Sequence, residues 1–253
     1  MALILARLAA LAQTTLPATL PPDQLERFRV ICTTLEARQD RTAEELQTLA
    51  TCYFRGDAVP QDLPRARRLY EQAAARGYAE AQCALGNMMI AGQGGPRDVA
   101  AGVVLCRRAA EAGSANAQTD LGGYMLVGEV MPKDAVEARR WLTLAARQHQ
   151  ANAAFLLGQI YWIGDGIVQD RVEAARWFRV AHEGGRADAA FLLGREAMER
   201  VMRSATSPES LDRAALAEAL RWFDLAVETD PAEETRARAR EGASILRQLQ
   251  TAR

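Results

Sequence analysis

The chain has 253 residues, 49% of them hydrophobic and 25% charged, and a formal net charge of −1. That hydrophobic share excludes a largely disordered chain. The balanced charge removes the electrostatic case for nucleic acid or an anionic membrane as the main partner. Lys133 is the only lysine, and acidic residues offset the arginines throughout, which fits a GC-rich coding bias better than a phosphate-binding adaptation.

Residues 1–12 are apolar except for Arg7, and Pro17, Pro21 and Pro22 follow. The stretch is too short to span a bilayer. Its arginine lies inside the apolar run, where a secretory leader would carry positive charge before it. Read as a helix, it places Ile4, Leu8 and Leu11 on one face, with Arg7, Ala10 and Thr14 opposite. The expectation is a retained amphipathic cap, the alternative a signal cleaved near Ala18. The first reading goes with the cytoplasm, the second with the periplasm or export. A second helix over 25–38 completes an N-terminal capping segment, 1–41, and no integral membrane span is expected.

From Thr42 onward the chain repeats. Gly86, Gly122, Gly158 and Gly194 recur every 36 residues, each directly after a leucine. Gly56, Gly92, Gly128 and Gly164 keep the same step, as do Asp62, Asp98, Asp134 and Asp170. Three registers on one period predict an array of one supersecondary unit, here a pair of helices A and B. Helix A of the fourth unit runs over 151–163 and ends at Gly164, a residue suited to a left-handed terminus. Asp170 with Glu173, and Asp134 with Glu137, read as capping boxes for helix B. Trp141 and Trp177, with Leu69 and Leu105, occupy one large-residue position of helix B. Glycine inside a helix costs about 1 kcal/mol relative to alanine, so four in register imply a close helix crossing that excludes a Cβ. The units fall at 42–78, 79–114, 115–150 and 151–186. A divergent fifth, 187–229, begins at Ala187 and carries an insertion before Ala219. Asp230-Pro231-Ala232-Glu233 reads as the N-cap of a C-terminal capping helix, segment 230–253, with Ile245, Leu246 and Leu249 as its apolar face.

The pattern resembles the Sel1-like repeat family, relatives of the tetratricopeptide repeats. The resemblance rests best on Ala153, Leu157-Gly158, Tyr161, Gly164, Gly166, Val168, Asp170, Ala174, Trp177-Phe178 and Ala181. Ala50 departs from it where the first unit should have glycine, and His149 where Gly77 and Gly113 stand in other units. The resemblance implies an all-α, right-handed α/α solenoid whose A helices line a concave side. It also implies a non-enzymatic adaptor or scaffold that binds another protein or a peptide segment. The alternative it offers is a bacterial immunity protein that neutralises a secreted effector such as a phospholipase.

The residues carry no convincing catalytic site. His149 and His182 are the only histidines, and there is no H-E-x-x-H, P-loop, G-x-S-x-G or C-x-x-C. Neither a cofactor nor a metal is expected. A hydrolase would need the irregular 198–212 segment, whose Arg200, Arg203, Ser204, Ser207 and Glu209 read as a solvated loop. RNA binding would need a basic groove that the charge balance does not supply. Cys32 and Cys52, and Cys83 and Cys106, straddle helix turns in the same way, so Cys32–Cys52 and Cys83–Cys106 are candidate disulfides. Free cysteine is equally a normal small core residue, and position 106 is apolar in other units; free thiols are the favoured reading. Some secreted Sel1-like proteins are stapled helix to helix in this manner.

Helix A carries a second stripe of varied content: Cys83, Asn87, Ile90; Thr119, Gly123, Leu126; Phe155, Gln159, Trp162; Phe191, Arg195, Met198. Variation at a fixed structural position suits contacts tailored to a partner. The last two trios mix aromatics with arginine, as binding hot spots do. The candidate partner-binding residues are therefore Phe155, Gln159, Trp162, Phe191, Arg195, Met198, Leu126 and Asn87. Packing between helices is the competing reading for Phe155, Trp162 and Phe191. The sequence sets no oligomeric state.

Overall fold

The computed structural model describes residues 22–204 and 211–251. The amphipathic cap expected over 1–12, and Ser207 and Glu209, lie outside them. Among the described residues the chain forms twelve helices and no strand, an all-α repeat fold. It divides into two compact units, Met1–Ala145 and Ala146–Arg253.

The first unit holds α1 (Pro22–Ala37) and three hairpins: α2 (Ala43–Arg55) with α3 (Leu63–Ala75), α4 (Ala79–Ala91) with α5 (Val99–Glu111), and α6 (Ala115–Val127) with α7 (Ala135–Ala146), whose last residue begins the second unit. The second unit holds α8 (Ala151–Ile163) with α9 (Arg171–Glu183), α10 (Ala189–Ser204) with α11 (Arg213–Thr229), and α12 (Glu233–Thr251). In the first unit α4 touches both its own partner α5 and the next A helix, α6; in the second, α10 touches α11 and α12 in the same way.

The mid-helix glycines sit where helix A meets helix B of its own hairpin. A Cβ added at Gly86 would come within 2.5 Å of the Gly102 carbonyl oxygen on α5. At Gly122 it would meet Leu142 Cγ at 2.6 Å, at Gly158 it would run into the Phe178 ring, and at Gly194 it would meet the Phe223 ring at 2.7 Å. Backbone touches backbone at Gly86. At Gly158 and Gly194 the missing side chain is replaced by a phenylalanine ring, and Phe178 and Phe223 are among the largest fully buried side chains. The first hairpin has Ala50 in this slot, fully buried, with Tyr70 in the same core.

The recurring aspartate ties each hairpin twice. Its carboxylate accepts from the third backbone N–H of helix B, at 2.9–3.0 Å for Asp62, Asp98, Asp134 and Asp170. Its own N–H donates to a helix-A carbonyl nine residues earlier: Asp62 to Tyr53, Asp98 to Met89, Asp134 to Met125 and Asp170 to Tyr161, at 2.9–3.0 Å. This corrects the expected capping boxes. The N–H that a box glutamate would bind is already bonded to helix A, so Glu137 pairs with Arg140 at 2.8 Å and Glu173 with Arg176 at 3.0 Å. Among the described residues a reciprocal box forms at Thr42 and Glu45.

Two boundaries also differ from expectation. Helix A of the fifth hairpin starts at Ala189, because Arg186 and Ala187 carbonyls accept turn bonds from Ala189 and Ala190. The last helix starts at Glu233, since Asp230 is spent closing α11 on Ala226 and accepting from the Ala232 N–H. On that helix Leu246 is buried, whereas Ile245 is 39% exposed. His149, which follows α7, has φ 62° where Gly77, Gly113 and Gly185 take φ 83–95°.

Candidate functional site

In the first unit the second stripe of helix A is closed. Cys83, Ile90, Thr119 and Leu126 are buried, and Asn87 is engaged on both ends. Its Nδ2 donates to Asp120 Oδ2 at 2.7 Å, and its Oδ1 accepts from the Tyr124 hydroxyl at 2.7 Å. Of the two residues expected to meet a partner here, Leu126 is buried and Asn87 is half-buried with its amide engaged within the protein. Asp120 was not among the expected residues. Burial pushes its carboxyl up to about 7, against the opposing hydrogen bond from Asn87. Burial foremost, and then the nearby Asp120, raise the Tyr124 phenol. The sequence held one sign of this: Asp120 stands directly before the leucine–glycine pair, where other units have Ala84, Leu156 and Leu192.

The cysteines beside this cluster are joined. Cys83 is paired with Cys106 across α4 and α5, with Cα atoms 4.1 Å apart, and Cys32 with Cys52 across α1 and α2 at 6.0 Å. All four are buried.

In the second unit the stripe stays partly open. Phe155 is the exception: it is 4% exposed, its ring tilted against Phe178 at 5.6 Å, with the Arg186 guanidinium 4.2 Å above it. Phe155 is a packing residue, which removes it from the expected binding set. Trp162, at the end of α8, is half-buried, its ring 6.1 Å from Phe178. Two guanidinium groups flank the indole: Arg171 at 3.6 Å and Arg195 at 5.2 Å from its centroid. Both approach Glu199, at 3.7 Å and 3.9 Å. Phe191 and Met198, on α10 with Arg195, are half-buried against the Phe223 core, Phe191 tilted against the Phe223 ring at 6.0 Å. Gln159 Oε1 and Arg171 Nη1 are buried atoms with no hydrogen-bond partner.

The structure brings Trp162 and Arg195 together with Arg171 and Glu199; Gln159 shares α8 with Trp162, while Phe191 and Met198 share α10 with Arg195 and pack against the Phe223 core. Sequence reasoning missed Arg171 because it comes from the first turn of helix B, outside the helix-A spacing. Trp141 and Trp177 stay half-buried on their B helices, each with its Nε1 shut away from water and without a hydrogen-bond partner.

Among the described residues no group of three or more His, Cys, Asp and Glu is placed to hold a metal ion. No described helix is long and apolar enough to cross a membrane. His182 stands edge-on to Trp222 at 5.3 Å. What the site offers is cation–π stacking, unspent hydrogen-bond donors and half-buried apolar surface, which are means of binding.

Four stretches of the chain, residues 49–78, 79–114, 115–149 and 151–185, match the Sel1 repeat, and together they cover more than half of it. The chain belongs to the Sel1 repeat family. The divergent fifth hairpin lies outside the match. Among solved structures, a Sel1 repeat protein from Oxalobacter formigenes is similar at 22% identity, with a TM-score of 0.68 over 88% of this chain and 97% of the other. A putative Sel1 repeat protein from Klebsiella pneumoniae aligns at 20% identity and a TM-score of 0.53, covering 88% of this chain and 99% of the other. The immunity protein PA5088 from Pseudomonas aeruginosa aligns at 16% identity and 0.50, over 88% of each chain. These likenesses show a shared fold. No curated protein matches the chain. Sel1 repeats are protein-interaction modules, generally without catalytic function.

Proposed function

We propose that this Sel1 repeat protein binds a protein or peptide segment on the open helix-A stripe of its second unit, as an adaptor or scaffold that makes and breaks no bond. The observation that carries this reading is the contrast within one repeated position. The same stripe is sealed in the first unit, whereas around Trp162, Arg195 and Met198 it keeps arginine and apolar surface accessible. Packing alone gives no reason to hold two guanidinium groups over one half-exposed indole. Affinity purification of the full chain from its native cell tests it. A discrete partner should co-purify with the wild type and be lost with Met198→Arg, which blocks the stripe by bulk while circular dichroism stays unchanged. Retention of the partner by that variant would contradict the reading.

A second reading is an immunity protein that neutralises a secreted effector such as a phospholipase, supported by the fold shared with PA5088. Co-expression with an effector encoded beside the gene separates the two. Protection of the host cell supports immunity, and growth arrest despite expression opposes it.

The paired cysteines favour the periplasmic or exported alternative over the cytoplasm, since structural disulfides persist in oxidising compartments. Thiol titration of the unfolded protein without reductant should find none of the four cysteines free. Four reactive thiols would return the protein to the cytoplasm.

A further inference from the structure

The arginines around Trp162 are in excess over the acids that serve them. Two other carboxylates of α10 and α11 already have cations: Glu218 is bonded by Arg200 and by Arg179 at 3.1 Å, and buried Glu196 lies 3.8–4.0 Å from Arg200 and Arg203. Glu199 alone is left to Arg171 and Arg195, at 3.7 and 3.9 Å, both beyond hydrogen-bond length. Each guanidinium carries five N–H donors in a planar fork shaped for a carboxylate. Here one such donor group, Arg171 Nη1, is buried without a hydrogen-bond partner, while the Arg195 side chain is 45% exposed. Both guanidinium groups lie over the indole, 3.6 Å and 5.2 Å from its centroid, a contact that reduces the side-chain freedom to be lost when an acid arrives. Half-buried Phe191 and Met198, four residues before and three after Arg195 on α10, add apolar surface on its helix.

From this we infer that the Trp162–Arg171–Arg195 cluster is a carboxylate-recognition site, whose occupant is an aspartate or glutamate side chain flanked by an apolar residue on a protein partner. The inference rests on the binding role proposed above and names the partner's chemistry. A protein acid is favoured over a membrane or nucleic acid on two grounds. Glu199 stands inside the cluster and repels a densely charged polyanion. A net charge of −1 gives the chain no overall electrostatic attraction for one.

The test titrates the full-length protein with a short synthetic peptide centred on Glu-Phe-Glu and with its Gln-Phe-Gln counterpart, read by calorimetry and tryptophan fluorescence. The acidic peptide should bind at least about tenfold more tightly, as expected for charge-assisted hydrogen bonds. Arg195→Gln and Arg195→Glu should abolish that preference. Arg195 is exposed, so both variants should keep the wild-type circular dichroism, whereas Arg171→Gln removes a packed group and serves only as support. Equal binding of the two peptides, no binding of either, or full acid preference in Arg195→Glu overturns the inference. So does stronger, Arg195-dependent binding to phosphatidylglycerol vesicles or to a DNA oligonucleotide. A partner that still depends on the Met198 surface while showing no acid preference would sink this inference alone and leave the binding role standing.

Discussion

The first unit's helix-A stripe is closed by polar contacts and the second's is held partly open by aromatic rings, though both occupy the same positions of the same repeat. In the first, Asn87, Asp120 and Tyr124 bond to one another beside a joined cysteine pair. In the second, Phe178 fills the space next to Gly158 and leaves Trp162 and Arg195 at the surface. One backbone plan thus yields a sealed face or a receptive one, according to the residues three and four apart along helix A.

The largest expected effect breaks the aromatic side of this comparison. Gly158→Leu would drive a branched side chain into the Phe178 ring, which is fully buried and has no room to retreat. A loss of at least about 3 kcal/mol is expected in urea or thermal unfolding. An unchanged midpoint would contradict the packing of α8 on α9.

The next effect addresses the polar side. Asp120 has its carboxyl raised from 3.8 to about 7 by burial, so the folded state favours the protonated form. Its contribution is fully present below about pH 4 and is lost as pH rises to about 7. Asp120→Asn keeps an oxygen for Asn87 and removes the titration, so the variant's stability should gain on the wild type across that window. Parallel pH profiles for the two proteins would refute the buried-acid account. Other carboxylates move the opposite way: Glu45 is lowered by its backbone bond at Thr42 and Glu233 by Arg236 and Arg240, and at Glu218 burial is outweighed by Arg200 and Arg179, so only the difference between variant and wild type is diagnostic.

A smaller effect lies at His149, whose left-handed backbone carries the strain that glycine avoids in the other hairpins. His149→Gly should stabilise by about 0.5–1 kcal/mol, the relief of strain exceeding the extra freedom given to the unfolded chain. Destabilisation would show that the imidazole makes contacts that offset its conformation.

The fold was legible because its steric demands repeat. A slot that excludes a Cβ selects glycine at Gly86, Gly122, Gly158 and Gly194, and a helix start tied to the preceding helix selects aspartate at Asp62, Asp98, Asp134 and Asp170. The capping boxes misled because sequence shows Glu137 and Glu173 in the right place but not that the N–H they would bind is already taken. The site was only half legible. Gln159, Trp162, Phe191, Arg195 and Met198 follow one helical spacing, so they can be found together. Arg171 and Glu199 join them from other positions, and no spacing connects them. Phe155 obeys the same spacing but is buried under Phe178 and Arg186, which are distant in sequence. Asp120 broke the repeat once, and a single departure does not say whether a carboxylate faces water or protein. Turn-straddling spacing allowed the cysteine pairs, yet it suits small core residues equally well.

The receptive face itself is tested most directly by placing a photo-crosslinking amino acid, p-benzoylphenylalanine, at Met198 in the native cell. The same probe at Val104, which is 59% exposed on α5 of the first unit, serves as the control. The account predicts a discrete protein adduct from position 198 and none from position 104. Equal labelling at both positions, or an adduct from 104 alone, would contradict it.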